Sequence, residues 1–309
     1  MDSSLADHRD GNTGIDFVTS LDGPSPGPHV VLNAMMHGNE PCGLAALSFL
    51  KRIGLVPKRG RLTLAFANVE AGQPAGGRPA ARFRDQDMNR LWSPDLLDGG
   101  AQSVELDRAR RLRPVYESAD FLLDLHSMQN GTVPLILCGP TARARDFACR
   151  LQHPHWVVSD TGHAAGPRLI DFGRFTDPNS GAIAVLAECG QHRSDAARLT
   201  AIETSLRFLL ATGIVDEGDV ATHLTIAKRP APTLVEVTHA VTIETDRFLF
   251  VGERRGMEVV HRAGTLIGRD GTADIRTPYD ECVLVMPSPA LRAGQTAVRL
   301  GKFVTSPPR

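Results

Sequence analysis

Five short apolar runs set the strongest limit on what this chain can become: PHVVLNAMM (28–36), RLTLAFANV (61–69), DFLLDLH (120–126), VPLILCG (133–139) and AIAVLAECG (182–190). They lack strict alternation of polar and apolar residues, which is the pattern of strands buried on both faces. Helical patterns follow or separate them at 41–53, 102–118, 141–152 and 194–212. Strands covered on both faces with helices between them predict an α/β sheet protein, with mixed rather than purely parallel strand directions left open.

The pattern changes near the segment AKRPAPT (227–233), whose prolines favour an extended linker. Beyond it no helix is expected. TLVEVTHAVTIET, RFLFVG, EVVHRAGTLIG, ADIRT and ECVLVMP are short strand-like runs separated by Gly, Asp and Pro turn signals. The predicted organisation is an α/β domain over 1–226 and a small all-β domain over 227–309. A length of 309 residues with 42% hydrophobic content suffices for this pair.

The chain has 34 basic and 35 acidic residues, a net charge of −1, so no overall field draws it to nucleic acid or to an anionic membrane. Small molecules are the expected partners. No apolar run approaches the roughly 20 residues of a membrane span, and the start MDSSLADHRDGNTG lacks the basic flank and apolar segment of a signal peptide. A cytoplasmic location is expected. Cys42, Cys138, Cys149, Cys189 and Cys282 form no CxxC pair and are read as reduced thiols. Cys42 and Cys189 stand beside candidate functional residues and are read as small packing residues rather than nucleophiles.

In an α/β sheet, ligands collect at the carboxyl ends of strands. The first run ends on His37, with Glu40 three residues later. Asn39 is a natural helix N-cap and Pro41 suits a first helical turn, so a strand-to-helix turn aims His37 and Glu40 at one point. His126, in DLHSMQN, and Glu188, in LAECGQH, close two further apolar runs. Three of these four groups, both histidines with one of the glutamates, make the two-nitrogen, one-carboxylate set of a catalytic zinc, which leaves a position open for water. Each alone has a structural counterpart: a hydrogen-bonded core histidine, or a salt-bridged glutamate.

The motifs HGNE, DMNR, DLHS and AECG, in that order, resemble those of the succinylglutamate desuccinylase/aspartoacylase family, relatives of the zinc carboxypeptidases. The resemblance covers roughly residues 28–215, and a following β domain is also typical of the family. It implies a zinc-carboxypeptidase-like mixed sheet flanked by helices and one Zn2+ per chain. It also implies zinc ligands His37, Glu40 and His126, with Glu188 kept off the metal as general base and then acid. Asp87 matches the carboxylate that orients the first zinc histidine. Asn89 and Arg90 match the pair that holds the substrate carboxylate, and Arg82 an arginine that polarises the carbonyl. An arginine fork suits carboxylate binding because it makes two hydrogen bonds and keeps its charge. Without the motifs, Asp87 reads as a surface turn residue and ARFRDQDMNRLW (81–92) as a solvated basic loop.

The chain departs from better-known members at the later substrate-binding tyrosine and arginine, which have no clear match. His163, Arg168 and Arg174 in GHAAGPRLIDFGRF, and Tyr279 in RTPYDE, are the candidates instead. The expected function is hydrolysis of the amide bond of a small N-acyl amino acid or related N-acyl amine. The alternative is a zinc exopeptidase acting on short peptides. The tail also resembles the barrel-sandwich pattern of biotinyl or lipoyl carriers. It has no lysine between 230 and 301 to carry a cofactor, so a lid, an entrance wall or a homo-oligomer contact is the better reading.

Overall fold

The computed structural model describes residues 4–74, 79–162, 165–225, 231–288 and 292–304. Among these residues the strands are β1 (Val18–Asp22), β2 (His29–Ala34), β3 (Arg61–Phe66), β4 (Phe121–Met128), β5 (Leu135–Cys138), β6 (Trp156–Ser159) and β7 (Ile183–Gln191), followed by β8 (Thr233–Thr242), β9 (Phe248–Phe250), β10 (Glu258–Val260), β11 (Leu266–Asp270), β12 (Ala273–Arg276), β13 (Cys282–Val285) and β14 (Thr296–Phe303). The five apolar runs are β2, β3, β4, β5 and β7. The main helices, Cys42–Arg52, Val104–Glu117, Ala142–Arg150 and Asp195–Ala211, fall inside the expected helical segments.

Eleven strands form one mixed sheet in the order β1-β3-β2-β4-β7-β5-β6-β8-β14-β13-β10. β3, β2, β4 and β7 are mutually parallel. β5 reverses against β7, while β6 and β8 run parallel to β5. From β8 onward the neighbours are antiparallel. A separate antiparallel sheet has the order β12-β11-β9. No helix follows His223 among the described residues, yet β8 pairs with β6 and extends the same large sheet into the C-terminal strands.

Period-two alternation sorts each parallel strand onto two apolar faces. Leu123, Leu125, Val185 and Ala187 join Val30 and Leu32 on the face covered by Cys42–Arg52, Ala142–Arg150 and Asp195–Ala211. Leu122, Ala184, Leu186 and Val31 pack on the opposite face against Val104–Glu117 and residues 169–175. By the same alternation Asn33, Asp124, His126 and Glu188 lie on this second face. Both faces are largely dry, so a polar group placed there is costly unless it is paired.

One expectation needs correction, and two regions lie beyond what the sequence reading covered or the structure describes. The helix after β2 starts at Cys42 with Pro41 in the N-cap position and no side-chain cap, so Asn39 is not its cap. β1, β6 and β14 were not legible as strands. They are short or interrupted by polar residues, and neighbouring strands supply what their own composition does not. Part of the expected linker, 226–230, lies outside the described residues.

Candidate metal centre

The chain leaves β2 through Met35, whose φ of 58° turns it sharply off the strand. Gly38 then passes so close to the Ala71–Gly72 backbone that an added Cβ would lie 2.3 Å from it. This tight passage sets His37 and Glu40 over the carboxyl ends of the parallel strands. His126 and Glu188 are direct register partners on adjacent β4 and β7.

Glu40 bridges the two histidines. Its Oε1 lies 2.8 Å from His37 Nδ1 and its Oε2 lies 3.1 Å from His126 Nδ1, and the imidazole rings meet edge to face at 5.0 Å. Oε2 also accepts the Ser127 backbone N–H at 3.2 Å. Behind the rings, His37 Nε2 contacts Asp87 Oδ1 at 3.0 Å and His126 Nε2 contacts Asp124 Oδ2 at 2.8 Å. One donor atom from each of His37, Glu40 and His126 lies within 4.8 Å of the others, and all three residues are buried. Two imidazole nitrogens and a carboxylate, with the far nitrogens held by carboxylates, are compatible with zinc in chemistry and in outer support.

Burial works against charge on Glu40, but the two histidines outweigh it and hold its carboxyl far below the usual range. Burial likewise opposes ionisation of Asp87, and its bond to His37 with the nearby Arg82 guanidinium overcomes it. His126 is pulled upward: burial disfavours its cation, while Asp124 and Glu40 favour it more strongly. Glu188 differs from the other carboxylates. Burial, with the Glu40 charge beside it, pushes its carboxyl up to about 7 against the pull of His126, His37 and Arg82. Its Oε2 is buried without a hydrogen-bond partner. An acid poised near neutrality with a free oxygen is suited to taking up and releasing a proton.

The segment after this centre carries the arginines. Arg82 sits at the rim with its side chain 42% exposed, 3.0 Å from Asp87 Oδ2 and 3.6 Å from Glu40 Oε1. Asn89 accepts the Leu169 N–H on Oδ1 at 2.9 Å, which leaves its amide nitrogen for a ligand. The Arg90 guanidinium donates to the Asn89 carbonyl at 2.6 Å and forms no ion pair among the described residues. Burial pushes it down to about 10, with Arg82, Arg168 and Arg299 adding to that effect and Asp87 opposing it. Gly166, at φ 133°, packs against the Arg90 backbone and brings the 166–169 stretch alongside.

The remaining candidates are placed differently. Arg168 is buried in a fork with Asp160, at 2.5 and 3.1 Å, and bonds Asp171 at 2.8 and 2.9 Å, so its charge is already matched. Arg174 pairs with Asp120 at 3.2 Å, just before β4 begins. Six strand residues, about 20 Å, separate that point from His126. Tyr279 bonds Thr238 at 2.5 Å and lies under the Lys302 ammonium, away from the ligands. His163 falls outside the described residues. All five cysteines are free, and Cys42 donates to the His126 carbonyl.

Two supporting residues were not read from the sequence. Asp124 stands two positions before His126 on the same face, and this D-x-H spacing was its available signal. Glu105 is fully buried and accepts backbone N–H bonds from Arg84, Asp85 and Gln86, anchoring the loop that continues into Asp87. A cavity of about 490 Å³ between the Cys42–Arg52 and Asp195–Ala211 helices is lined by Arg52, Arg193 and Arg198 but by none of the triad, so it is not the site of this chemistry.

Fold and site together define a mixed α/β protein with a two-histidine, one-glutamate centre beside a protonatable carboxylate. Residues 26–211 match the model of the succinylglutamate desuccinylase/aspartoacylase catalytic domain, and the chain belongs to that family. A succinylglutamate desuccinylase of Paraburkholderia xenovorans is 28% identical over 301 residues, with 86% of this chain and 80% of the relative covered. One of Burkholderia lata is 26% identical over 298 residues, covering 87% and 77%. The X-ray structure of succinylglutamate desuccinylase from Vibrio parahaemolyticus superposes with a TM-score of 0.70 at 19% identity, covering 93% of this chain and 86% of that one. No helix among the described residues is long and apolar enough to cross a membrane.

Proposed function

We propose that this chain is a zinc-dependent deacylase that hydrolyses the amide bond of a small N-acyl amino acid or related N-acyl amine. The observation that carries the reading is Glu188, a buried carboxyl near neutrality with an unpartnered oxygen, beside a triad of zinc-type donors. His37, Glu40 and His126 would hold the ion, which supplies Lewis acidity and a water of lowered pKa. Ionised Glu188 takes the proton of the attacking water and returns it to the leaving nitrogen, so the amine departs neutral. Arg82, at the rim, donates to the scissile carbonyl oxygen as negative charge gathers there. Arg90 and the free amide nitrogen of Asn89 receive the substrate carboxylate.

Relatives named as succinylglutamate desuccinylases support an N-acyl amino acid over a peptide. The free thiols support a reducing, cytoplasmic setting. The test is amine release from N-acetyl, N-formyl and N-succinyl amino acids beside dipeptides, with metal content measured on the same protein. Turnover of the acyl amino acids with about one zinc per chain is expected. Activity confined to the peptides would replace the deacylase with an exopeptidase.

A further inference from the structure

Behind His126 runs a row of buried polar side chains that holding an ion does not by itself require. The Tyr116 hydroxyl donates to Asn33 Oδ1 at 2.7 Å, and Asn33 Nδ2 donates to Asp124 Oδ1 at 2.7 Å. The second Asp124 oxygen, Oδ2, meets His126 Nε2 at 2.8 Å. All four residues are at most 2% exposed. They come from three elements: Tyr116 from the Val104–Glu117 helix, Asn33 from β2, and Asp124 and His126 from β4. Four polar groups in a dry layer are tolerated only when each is paired, and here each pairing also fixes the next.

The direction of the row is set from its far end. Burial, with the Asp124 charge nearby, raises the Tyr116 phenol above its usual range, so it stays protonated and donates. A phenol donor holds the Asn33 carbonyl oxygen toward itself and turns the amide N–H toward Asp124. Asp124 then has both oxygens accepting, and His126 must present an N–H at Nε2. That leaves Nδ1, the nitrogen facing Glu40, as the one that would give up its proton and offer a lone pair to an ion. Among the described residues His37 has no such row: the side chain of its Asp87 partner is 20% exposed and shared with rim residue Arg82.

We propose that Tyr116 and Asn33 are positioning residues which, through Asp124, lock the ring and tautomer of His126 and thereby set the affinity of the centre for zinc. The inference rests on the metal reading above, and its test separates the two. Zinc affinity is measured by competition with a chromophoric chelator for the wild type, Tyr116→Phe, Asn33→Leu and Asp124→Asn, with Leu209→Ala on the opposite face as a destabilised control.

Asp124→Asn should weaken zinc binding by roughly 10- to 100-fold, the range for losing an outer carboxylate. Tyr116→Phe should weaken it by about fivefold, the weight of one buried neutral hydrogen bond, and Asn33→Leu by more. Adding Tyr116→Phe to Asp124→Asn should change affinity by less than about twofold, because the row is already cut. Leu209→Ala should lower Tm and leave affinity alone. Wild-type binding with unchanged affinity in Tyr116→Phe and Asn33→Leu overturns this inference alone. A wild type that binds no zinc overturns the metal reading and this inference with it. Should the variants fail to fold, imidazole 15N shifts of zinc-bound wild type decide: Nε2–H on His126 is expected, and a proton on Nδ1 overturns the proposal.

Discussion

From β3 through β2 and β4 to β7 the large sheet runs in one direction, whereas from β8 to β10 its strands alternate. In the first region every carboxyl end falls at the same edge. Residues far apart in sequence, His37, His126 and Glu188, arrive there together with one face in common. In the second region successive strands end on opposite edges, and the polar side chains scatter. Tyr279 pairs with Thr238, and His261 with Glu281 at 3.0 Å on the surface. The difference teaches that strand direction, more than residue type, decides which polar groups can become a site. A histidine beside a glutamate occurs in both regions, but only in the parallel one is the pair buried and joined by a third and fourth group.

The largest effect is expected from breaking the parallel edge itself. His126→Ala removes one of three donors, so zinc should fall from about one equivalent to under a tenth, with turnover reduced by roughly 10⁴-fold or more. Elemental analysis and amine release check both. Full activity without transition metal would sink the mechanism.

Glu188→Gln sharpens the comparison by separating chemistry from binding at the same edge. Zinc should remain while kcat falls by roughly 10²–10⁴-fold. This carboxyl titrates higher in the fold than in the unfolded chain, so its contribution is intact below the unfolded pKa and is lost as pH rises through about 7. Metal-free Glu188→Gln should therefore match wild type near pH 4.5 and exceed its stability above pH 7, by on the order of 3 kcal/mol. Denaturant titrations at the two pH values test this. A constant difference across them would show that burial does not raise the Glu188 carboxyl.

Arg90→Ala should lower kcat/KM by roughly 30-fold to several thousand-fold at unchanged zinc content, the cost of breaking a desolvated charge pair with the substrate. The control is the same substrate with its carboxylate converted to a neutral amide, which wild type should reject and Arg90→Ala should not. Equal preference in both enzymes removes Arg90 from carboxylate reading. Arg174→Ala, at the amino end of β4, marks the small end of the scale: its exposed pair is worth about 0–1 kcal/mol, and kcat/KM should stay within about twofold.

The parallel region was the more legible one in the sequence, for physical reasons. Runs buried on both faces must be apolar, so a histidine or glutamate closing one stands out, and the four motifs gave His37, Glu40, His126 and Glu188 an order. Asn33, Asp124 and Glu105 were missed because an interior polar residue has meaning only through its partner, and those partners are remote in the chain. Arg168 shows the reverse. In the segment GHAAGPRLIDFGRF it is one of several candidate basic residues, but Asp160 and Asp171 fold onto it. Arg174, six residues further on in the same segment, pairs with Asp120 at the amino end of β4. In the C-terminal region turn signals marked β9, β12 and β13, whereas the single run EVVHRAGTLIG divides into β10 and β11, which belong to different sheets. β14 escaped because Arg299, Gly301 and Lys302 dilute its apolar character.

The pairing of β6 with β8, Trp156–Ser159 against Thr233–Glu236, has a consequence for any attempt to excise the catalytic half. A fragment ending at 226 would leave β6 with a raw edge, its outward amide and carbonyl groups open to any strand of another molecule. It would also uncover the patch now shielded by Met257, Val283 and Val285. An apolar layer beside an open edge is a template for intermolecular association. The fragment should sediment as polymer, and a monomeric, cooperatively melting fragment would show that β6 tolerates solvent. The C-terminal strands would then be dispensable cladding; as built, they are the selvage that keeps the sheet from fraying into its neighbours.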